Sequence, residues 1–194
     1  MKRLMIAGVI GGFVLFIWGW LAWAVLPIHS NTIGSLTSEE SVVAALQGSA
    51  TPEGVYAIPS MPQGSAQHDE AAMNEWMQKH QRGPVAMLIY QPRGMDPMMV
   101  SQMITGLIIS ILSAWLAAWF LSRSTAAAAS FIQRVAFFGM LGLFASMVVH
   151  LMYWNWLYFP MNYTTAMVAD SIISWLLAGL AMSAYLKPPV SQAA

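Results

Sequence analysis

Four long apolar stretches, separated by polar segments, dominate the pattern of hydrophobic and polar positions along this chain. Each is longer than the ~20 residues that a helix needs to cross a ~30 Å hydrocarbon core. Helix is the expected state, because a lone strand would leave its backbone groups unpaired in lipid. The pattern therefore predicts transmembrane helices over residues 1–27, 97–122, 132–158 and 163–186.

The longest polar segment, residues 28–96, has the pattern of a small folded domain. Thr37 is followed three residues later by Glu40, which is a helix-capping pattern, and Gly48 ends the apolar face that follows. The segments "GVYAIP" and "PVAMLIYQP" predict two short strands, because they are rich in β-branched and aromatic residues between Gly and Pro. The predicted order is α-β-α-β, and the pairing of the two strands stays open.

The second predicted helix of this domain lies between the two strands, near Asp69–Gln81. Acidic residues begin it and basic residues end it, as the helix dipole favours. Four of its residues recur at the spacing of a core stripe, and we expect them to face the strands: Met73, Trp76, Met77 and His80.

The predicted fold class is an all-α membrane protein, a four-transmembrane-helix bundle with a small α/β extracytoplasmic insertion between helices 1 and 2. Residues 123–131 are the predicted cytoplasmic loop and residues 159–162 an outer hairpin. Residues 187–194 are the predicted cytoplasmic tail.

The composition agrees with this class. The chain is 58% hydrophobic and 8% charged, whereas soluble domains carry about 25% charged residues. A net charge of zero argues against nucleic acid as a partner. The absence of cysteine removes disulfides, thiolate chemistry and cysteine-ligated metals, and no cofactor is predicted.

Charge also predicts the orientation. Basic residues without any acid mark one side of the membrane, namely Lys2, Arg3, Arg123, Arg134 and Lys187, whereas residues 28–96 carry seven acids. The positive-inside rule then puts both termini in the cytoplasm and residues 28–96 in the periplasm of a bacterial cytoplasmic membrane. The first helix is expected to stay as a signal anchor, because its apolar run exceeds the 7–15 residues of a signal peptide.

Small residues at helical spacing predict close helix contacts. Such residues let two backbones approach within a membrane. The candidates are Gly8 and Gly12 in the first helix, Gly139 and Gly142 in the third, and Gly179 and Ser183 in the fourth.

The candidate chemistry is a polar pair near the outer ends of the last two helices. His150 and Asp170 each lie ten residues from Pro160, so antiparallel helices would put them at similar depth. Because a lone aspartate in lipid costs about 2.5–3.5 kcal/mol, we expect the two to pair directly or through one water. Tyr153, Asn155 and Asn162 are the expected additional hydrogen-bonding groups.

Two other patterns have ordinary explanations. Tryptophans gather where the helices meet the interfaces, as an aromatic belt does. Soft thioethers suit Cu(I), and the chain has sixteen methionines, but methionine is also a common core filler. No metal site is predicted.

The leading functional hypothesis is a non-enzymatic accessory or scaffold subunit, whose partners are the lipid bilayer and other membrane subunits or copies of itself. A rival is a small-molecule, lipid or proton-handling protein that uses the site at His150 and Asp170. A weaker alternative is periplasmic copper binding.

The topology can be tested with two introduced cysteines. Ser65→Cys should react with an impermeant thiol reagent in intact spheroplasts, because residue 65 lies in the predicted outer domain. Ser124→Cys should react only after the membrane is opened. Labelling of residue 124 alone from outside would show that the orientation is inverted.

Overall fold

The computed structural model describes residues 1–49, 51–96 and 100–186. In chain order, the helices of this part are α1 (Lys2–Trp20), α2 (Glu39–Gly48), α3 (Glu70–Arg82), α4 (Val100–Ser122), α5 (Thr125–Ala128), α6 (Phe131–Ser146), α7 (Met152–Leu157) and α8 (Met161–Tyr185). The strands are β1 (Gly54–Ile58) and β2 (Ala86–Tyr90).

Within the described residues, four helical segments are long and apolar enough to cross a membrane, as the sequence pattern predicts. They are Lys2–Val25, Val100–Ser122, Phe131–Leu157 and Met161–Tyr185. The predicted first residues of the second span, 97–99, and the predicted tail, 187–194, lie outside the described residues.

Two of these spans contain a π-helical turn. Leu21–Val25 continues α1, and Met147–Leu151 joins α6 to α7. After α7, Tyr158 adopts a left-handed backbone with φ of 59°, and Pro160 caps α8. The last helix therefore begins at Met161, two residues earlier than predicted, because proline readily precedes or opens a helix.

The chain divides into two compact units, Met1–Gly34 with Met98–Ala194, and Ser35–Pro97. In the first unit, α1 packs along both α4 and α8, and α8 also packs along α6. Its buried core is made mainly of alanines around three larger side chains, Leu121, Phe138 and Met182. Such a composition is expected where backbones approach closely within a membrane.

Glycines mark the closest approaches between these helices. A Cβ added at Gly8 would lie 2.6 Å from Trp115 Cβ, and one at Gly12 would lie 2.5 Å from Ile111 Cα. On α8, a Cβ added at Gly179 would lie 2.7 Å from Phe138 Cβ. No side chain larger than hydrogen fits at these positions without a shift of the facing helix.

The other predicted packing residues lie along α6 and α8 as well. A Cβ added at Gly139 would lie 2.7 Å from Leu176 Cδ2, and one at Gly142 would lie 2.8 Å from the carbonyl oxygen of Ser171. Ser183 is buried, with 1% of its surface exposed. These small residues leave room for the neighbouring helix.

The second unit contains an antiparallel two-stranded sheet, in which Val55 pairs with Ile89. Asp69 caps α3 by accepting a hydrogen bond from the backbone N–H of Ala71 at 3.0 Å. The indole N–H of Trp76 donates to the carbonyl of Pro59 at 3.3 Å, which joins α3 to the segment after β1.

Two expectations for this unit are wrong. Ser38, and not Thr37, is the residue before α2, and it makes no side-chain cap, so the capping pattern of Thr37 and Glu40 is not formed. Met77 is 42% exposed, because α3 turns only part of the predicted stripe inward. Met73, Trp76 and His80 are half-buried.

Replacing Gly12 by alanine should destabilise the first unit. The new methyl group would meet the backbone of Ile111, and overpacking of this kind costs about 1–3 kcal/mol. The measurement is the free energy of unfolding in detergent with increasing SDS. Gly19→Ala is the matched control, because nothing lies within 4 Å of a Cβ at that position. Equal effects of the two variants would contradict this packing.

Candidate functional site

Asp170, on α8, is the centre of a polar cluster within the first unit. It is the one acidic residue of the sequence outside residues 39–96, and its side chain is 14% exposed. Trp18 Nε1 donates a hydrogen bond to Asp170 Oδ1 at 2.6 Å. His29 Nε2 lies 3.2 Å from Asp170 Oδ2. Both carboxylate oxygens therefore have a partner.

His29 is buried beside this carboxylate, with 1% of its surface exposed. Its ring stacks on Trp23, with centroids 4.0 Å apart and planes 11° apart. Its carbonyl accepts hydrogen bonds from the backbone N–H and the hydroxyl of Thr32, which fold Ser30–Thr32 into a 3₁₀ turn. The ring is thus held from three directions: by an indole face, by a carboxylate and through its own backbone.

The second nitrogen of His29, Nδ1, is buried and has no hydrogen-bond partner within the described residues. If Nε2 donates to Asp170, a neutral imidazole leaves a bare lone pair at Nδ1. An imidazolium would instead leave an unpaired N–H, and burying an unsatisfied polar group carries a free-energy penalty. Nδ1 of His29 is therefore without a hydrogen-bond partner among the described residues in either form of the ring.

His150 does not bind Asp170 directly, so the direct form of the predicted pair is wrong. His150 Nε2 lies 3.2 Å from the hydroxyl oxygen of Ser171, the residue next to Asp170. His150 therefore contacts α8 at Ser171, whereas Asp170 contacts Trp18 on α1 and His29 beyond the end of α1.

The reason lies in the direction of the side chains around α8. Consecutive residues of an α-helix point about 100° apart, since 3.6 residues make a turn. Because α8 packs against α6 on one side and α1 on another, Ser171 meets His150 while Asp170 meets Trp18. Equal distance from Pro160 predicts similar depth but does not specify the direction. His150 also lies in the π turn Met147–Leu151, which changes its direction around the helix axis.

The three additional residues predicted for this site do not bind Asp170 in the described part of the chain. Tyr153 is 46% exposed and stacks on Phe159, with ring centroids 5.6 Å apart. Asn155 and Asn162 are exposed. Their places near the ends of α7 and α8 put them on the surface of the unit.

Trp18 and His29 are members of the site that the sequence pattern does not single out. The pattern places Trp18 in the aromatic belt and His29 within the outer segment. A signal is nevertheless present, because a carboxylate in a span needs donors and these two residues lie close to the end of α1. An indole N–H in an interfacial belt is a natural donor to such a group.

The described residues contain no group of three or more His, Cys, Asp or Glu side chains that could hold a metal ion. In the second unit, the rings of Trp76 and His80 lie against each other, with centroids 5.2 Å apart. In the first unit, the site consists of hydrogen-bonding contacts of the Asp170 carboxylate with an indole N–H and an imidazole.

Replacing Asp170 by leucine should lower the free energy of unfolding by about 1–3 kcal/mol, because the partly buried Trp18 and the buried His29 would lose their acceptor. Asp170→Asn should be milder, since its carbonyl oxygen still accepts a hydrogen bond. SDS unfolding in detergent measures both. Ser171→Ala is the control, because it removes the partner of His150 alone.

A double-mutant cycle tests the contact with Trp18 itself. Trp18→Phe and Asp170→Leu should be non-additive by about 0.5–3 kcal/mol, because each removes the same hydrogen bond. Strictly additive free energies would show that the two side chains do not interact.

Comparison with protein-family models, with curated proteins and with solved structures gave no match. The four long apolar helices of this chain make it a multi-pass membrane protein. Asp170 and its partners Trp18 and His29 supply the candidate chemistry within that membrane unit.

Proposed function

We propose that this chain is a non-enzymatic accessory or scaffold subunit that packs against a larger membrane protein complex. The observation that carries the proposal is the construction of the second unit, Ser35–Pro97. Of its described residues, none is fully buried. An isolated two-stranded sheet is at best marginally stable in water. Contact with the surface of another protein would therefore stabilise a unit of this kind.

One face of its sheet supplies the surface for that contact. Val55 and Ile89 are a cross-strand pair and are 67% and 80% exposed. Met87 pairs with Ala57 on the same face and is 40% exposed. Side chains alternate between the two faces of a strand, so Tyr56 and the residues on its side lie on the other face. An exposed apolar face of this kind is typical of a protein-binding surface.

The first unit supports the same proposal in a different way. Its helices carry outward apolar side chains suited to lipid, such as Ile109 and Phe144, which are 58% and 66% exposed. Asp170 ties α8 to Trp18 and to His29 beyond the end of α1. A carboxylate with both oxygens occupied by the protein's own donors fits a structural clamp better than a reacting group.

The proposed location is a bacterial cytoplasmic membrane, with both termini in the cytoplasm and the second unit in the periplasm. The supporting observation is the charge distribution, since acids are concentrated in residues 39–96 and basic residues flank the spans. The partner is then another membrane subunit with a periplasmic surface, or a second copy of this chain.

The test is native mass measurement after mild detergent extraction from the native membrane. The wild-type chain should carry a stoichiometric protein partner. Val55→Ser with Ile89→Ser should lose it, because these substitutions make the exposed sheet face polar. Truncating central apolar contacts of an interface typically costs more than 1 kcal/mol each, so the pair should weaken the complex by about tenfold or more.

Val42→Ser with Val43→Ser is the matched control. Both valines are 42% exposed and lie on α2 of the same unit, so the chemistry and the number of changes are equal. This control should keep the partner. Equal loss in the two double variants would contradict docking through the sheet face. A monodisperse homo-oligomer with a bound small molecule would contradict the subunit proposal itself.

The rival function is favoured by one observation, the contact of the titratable pair Asp170 and His29 at 3.2 Å within the membrane unit. Ionisable groups in spans often mark proton or ligand sites. Under that function, Asp170→Asn would abolish activity while the free energy of unfolding stayed near that of the wild type. The clamp predicts instead that Asp170→Asn keeps the complex intact and lowers the free energy of unfolding only slightly.

A further inference from the structure

A cavity of about 260 Å³ lies where the first unit brings together the start of α1 and the end of α4. Its polar wall contains two arginines, Arg3 and Arg134, and three hydroxyl residues, Ser122, Ser124 and Thr125. Leucine and alanine side chains, among them Leu121, form the rest. The cavity is therefore cationic on one side and apolar on the other.

Arg134 is buried, with 5% of its surface exposed. It donates from one terminal nitrogen to the carbonyl of Ala128 at 3.0 Å, and from the other to the carbonyl of Ser183 at 3.2 Å. Its Nε has no partner within the described residues. A guanidinium carries five N–H donors and stays protonated, so two neutral carbonyls leave its charge uncompensated.

Within the described residues of the first unit, Asp170 is the one acidic side chain, and its partners are Trp18 and His29. Every Asp and Glu except Asp170 lies between residues 39 and 96, and none lines the cavity. Asp170 lies sixteen residues before Leu186, another residue of the cavity wall, which is about 24 Å along a helix. Buried charges are normally paired, and Arg134 has no anionic partner among the described residues, so this cavity favours a bound anion.

We infer that this cavity binds a phosphate group, carried by an anionic phospholipid. Arginine suits phosphate because its planar donors match the phosphate oxygens. The hydroxyl of Ser124 accepts from the backbone N–H of Ala127 at 3.2 Å, which leaves its own hydrogen free to donate. Arg3 is exposed at the mouth and can meet the same group.

The volume and the position of the cavity favour a lipid as the source of the phosphate group. Cavities for drug-sized ligands measure about 300–1,000 Å³, so a volume of about 260 Å³ suits a phosphate with part of its glycerol. The apolar wall lets an acyl chain leave along the helices. The basic ends of these helices are those that we propose to be cytoplasmic, and the cytoplasmic leaflet is rich in anionic lipid.

The full chain, purified in detergent, provides the test, with phosphatidylglycerol, phosphatidylcholine and inorganic phosphate as separate probes. Native mass spectrometry counts the retained lipids, and thermal unfolding reports protection. Phosphatidylglycerol should be retained and should raise the Tm, whereas phosphatidylcholine should not. Arg3→Gln should weaken phosphatidylglycerol binding by about fivefold, as expected for one arginine near a lipid headgroup, and Arg134→Gln should weaken it further.

Arg123→Gln is the matched control. Arg123 carries the same charge next to Ser124, but its guanidinium lies 4.8 Å from the centre of the Trp119 ring and does not line the cavity. It should retain wild-type binding. If Arg134→Gln does not fold, the lipid binding of Arg3→Gln tests the inference by itself. Arg3 is exposed, so its replacement should not disturb folding. Equal retention of the two lipids, or equal loss in Arg3→Gln and Arg123→Gln, would overturn the inference. Protection by inorganic phosphate without lipid selectivity would overturn the lipid source.

Discussion

Close approach of helix backbones is the constraint on which the first unit depends. Within lipid, apolar side chains gain little from contacting each other rather than acyl chains, so helices associate where their surfaces fit closely. Gly8, Gly12 and Gly179 provide that fit, because a Cβ at any of them would fall within 2.5–2.7 Å of a facing helix. The approach of α1 to α4 and α8 in turn brings Trp18 within 2.6 Å of Asp170. The polar cluster is a consequence of this packing and also reinforces it.

The charged groups at the two ends of the first unit have different kinds of partner. At Asp170, the chain itself supplies donors for both oxygens, through Trp18 and His29. At Arg134, the described residues supply two carbonyls and no anion. A charge that is satisfied internally rigidifies the fold, whereas a charge left without a counter-ion favours a ligand. That contrast is why we regard the first site as a clamp and the second as a binding site.

The second unit has a different basis for its stability. It has too little chain to bury its apolar residues, and its described residues include no fully buried side chain. Local signals nevertheless define its elements, such as the cap that Asp69 provides to α3 and the ion pair of Glu75 with Lys79 at 2.6 Å. The hydrogen bond from Lys79 lowers the pKa of the Glu75 carboxyl. Elements of this kind, formed locally and left without a core, suit a domain completed by a partner.

Sequence alone determined the class of this protein, because the length and hydropathy of a span are local properties that the membrane thickness tests directly. The four spans and the two strands of the second unit follow from such patterns. The partners of Asp170 did not, since spacing from Pro160 predicts depth but leaves the direction around α8 open. Only the tertiary structure decided that Ser171 meets His150 and that Asp170 meets Trp18 and His29. The physical reason is that α8 packs against α1 and α6 on different sides, and no local pattern specifies which neighbour a given side chain will meet.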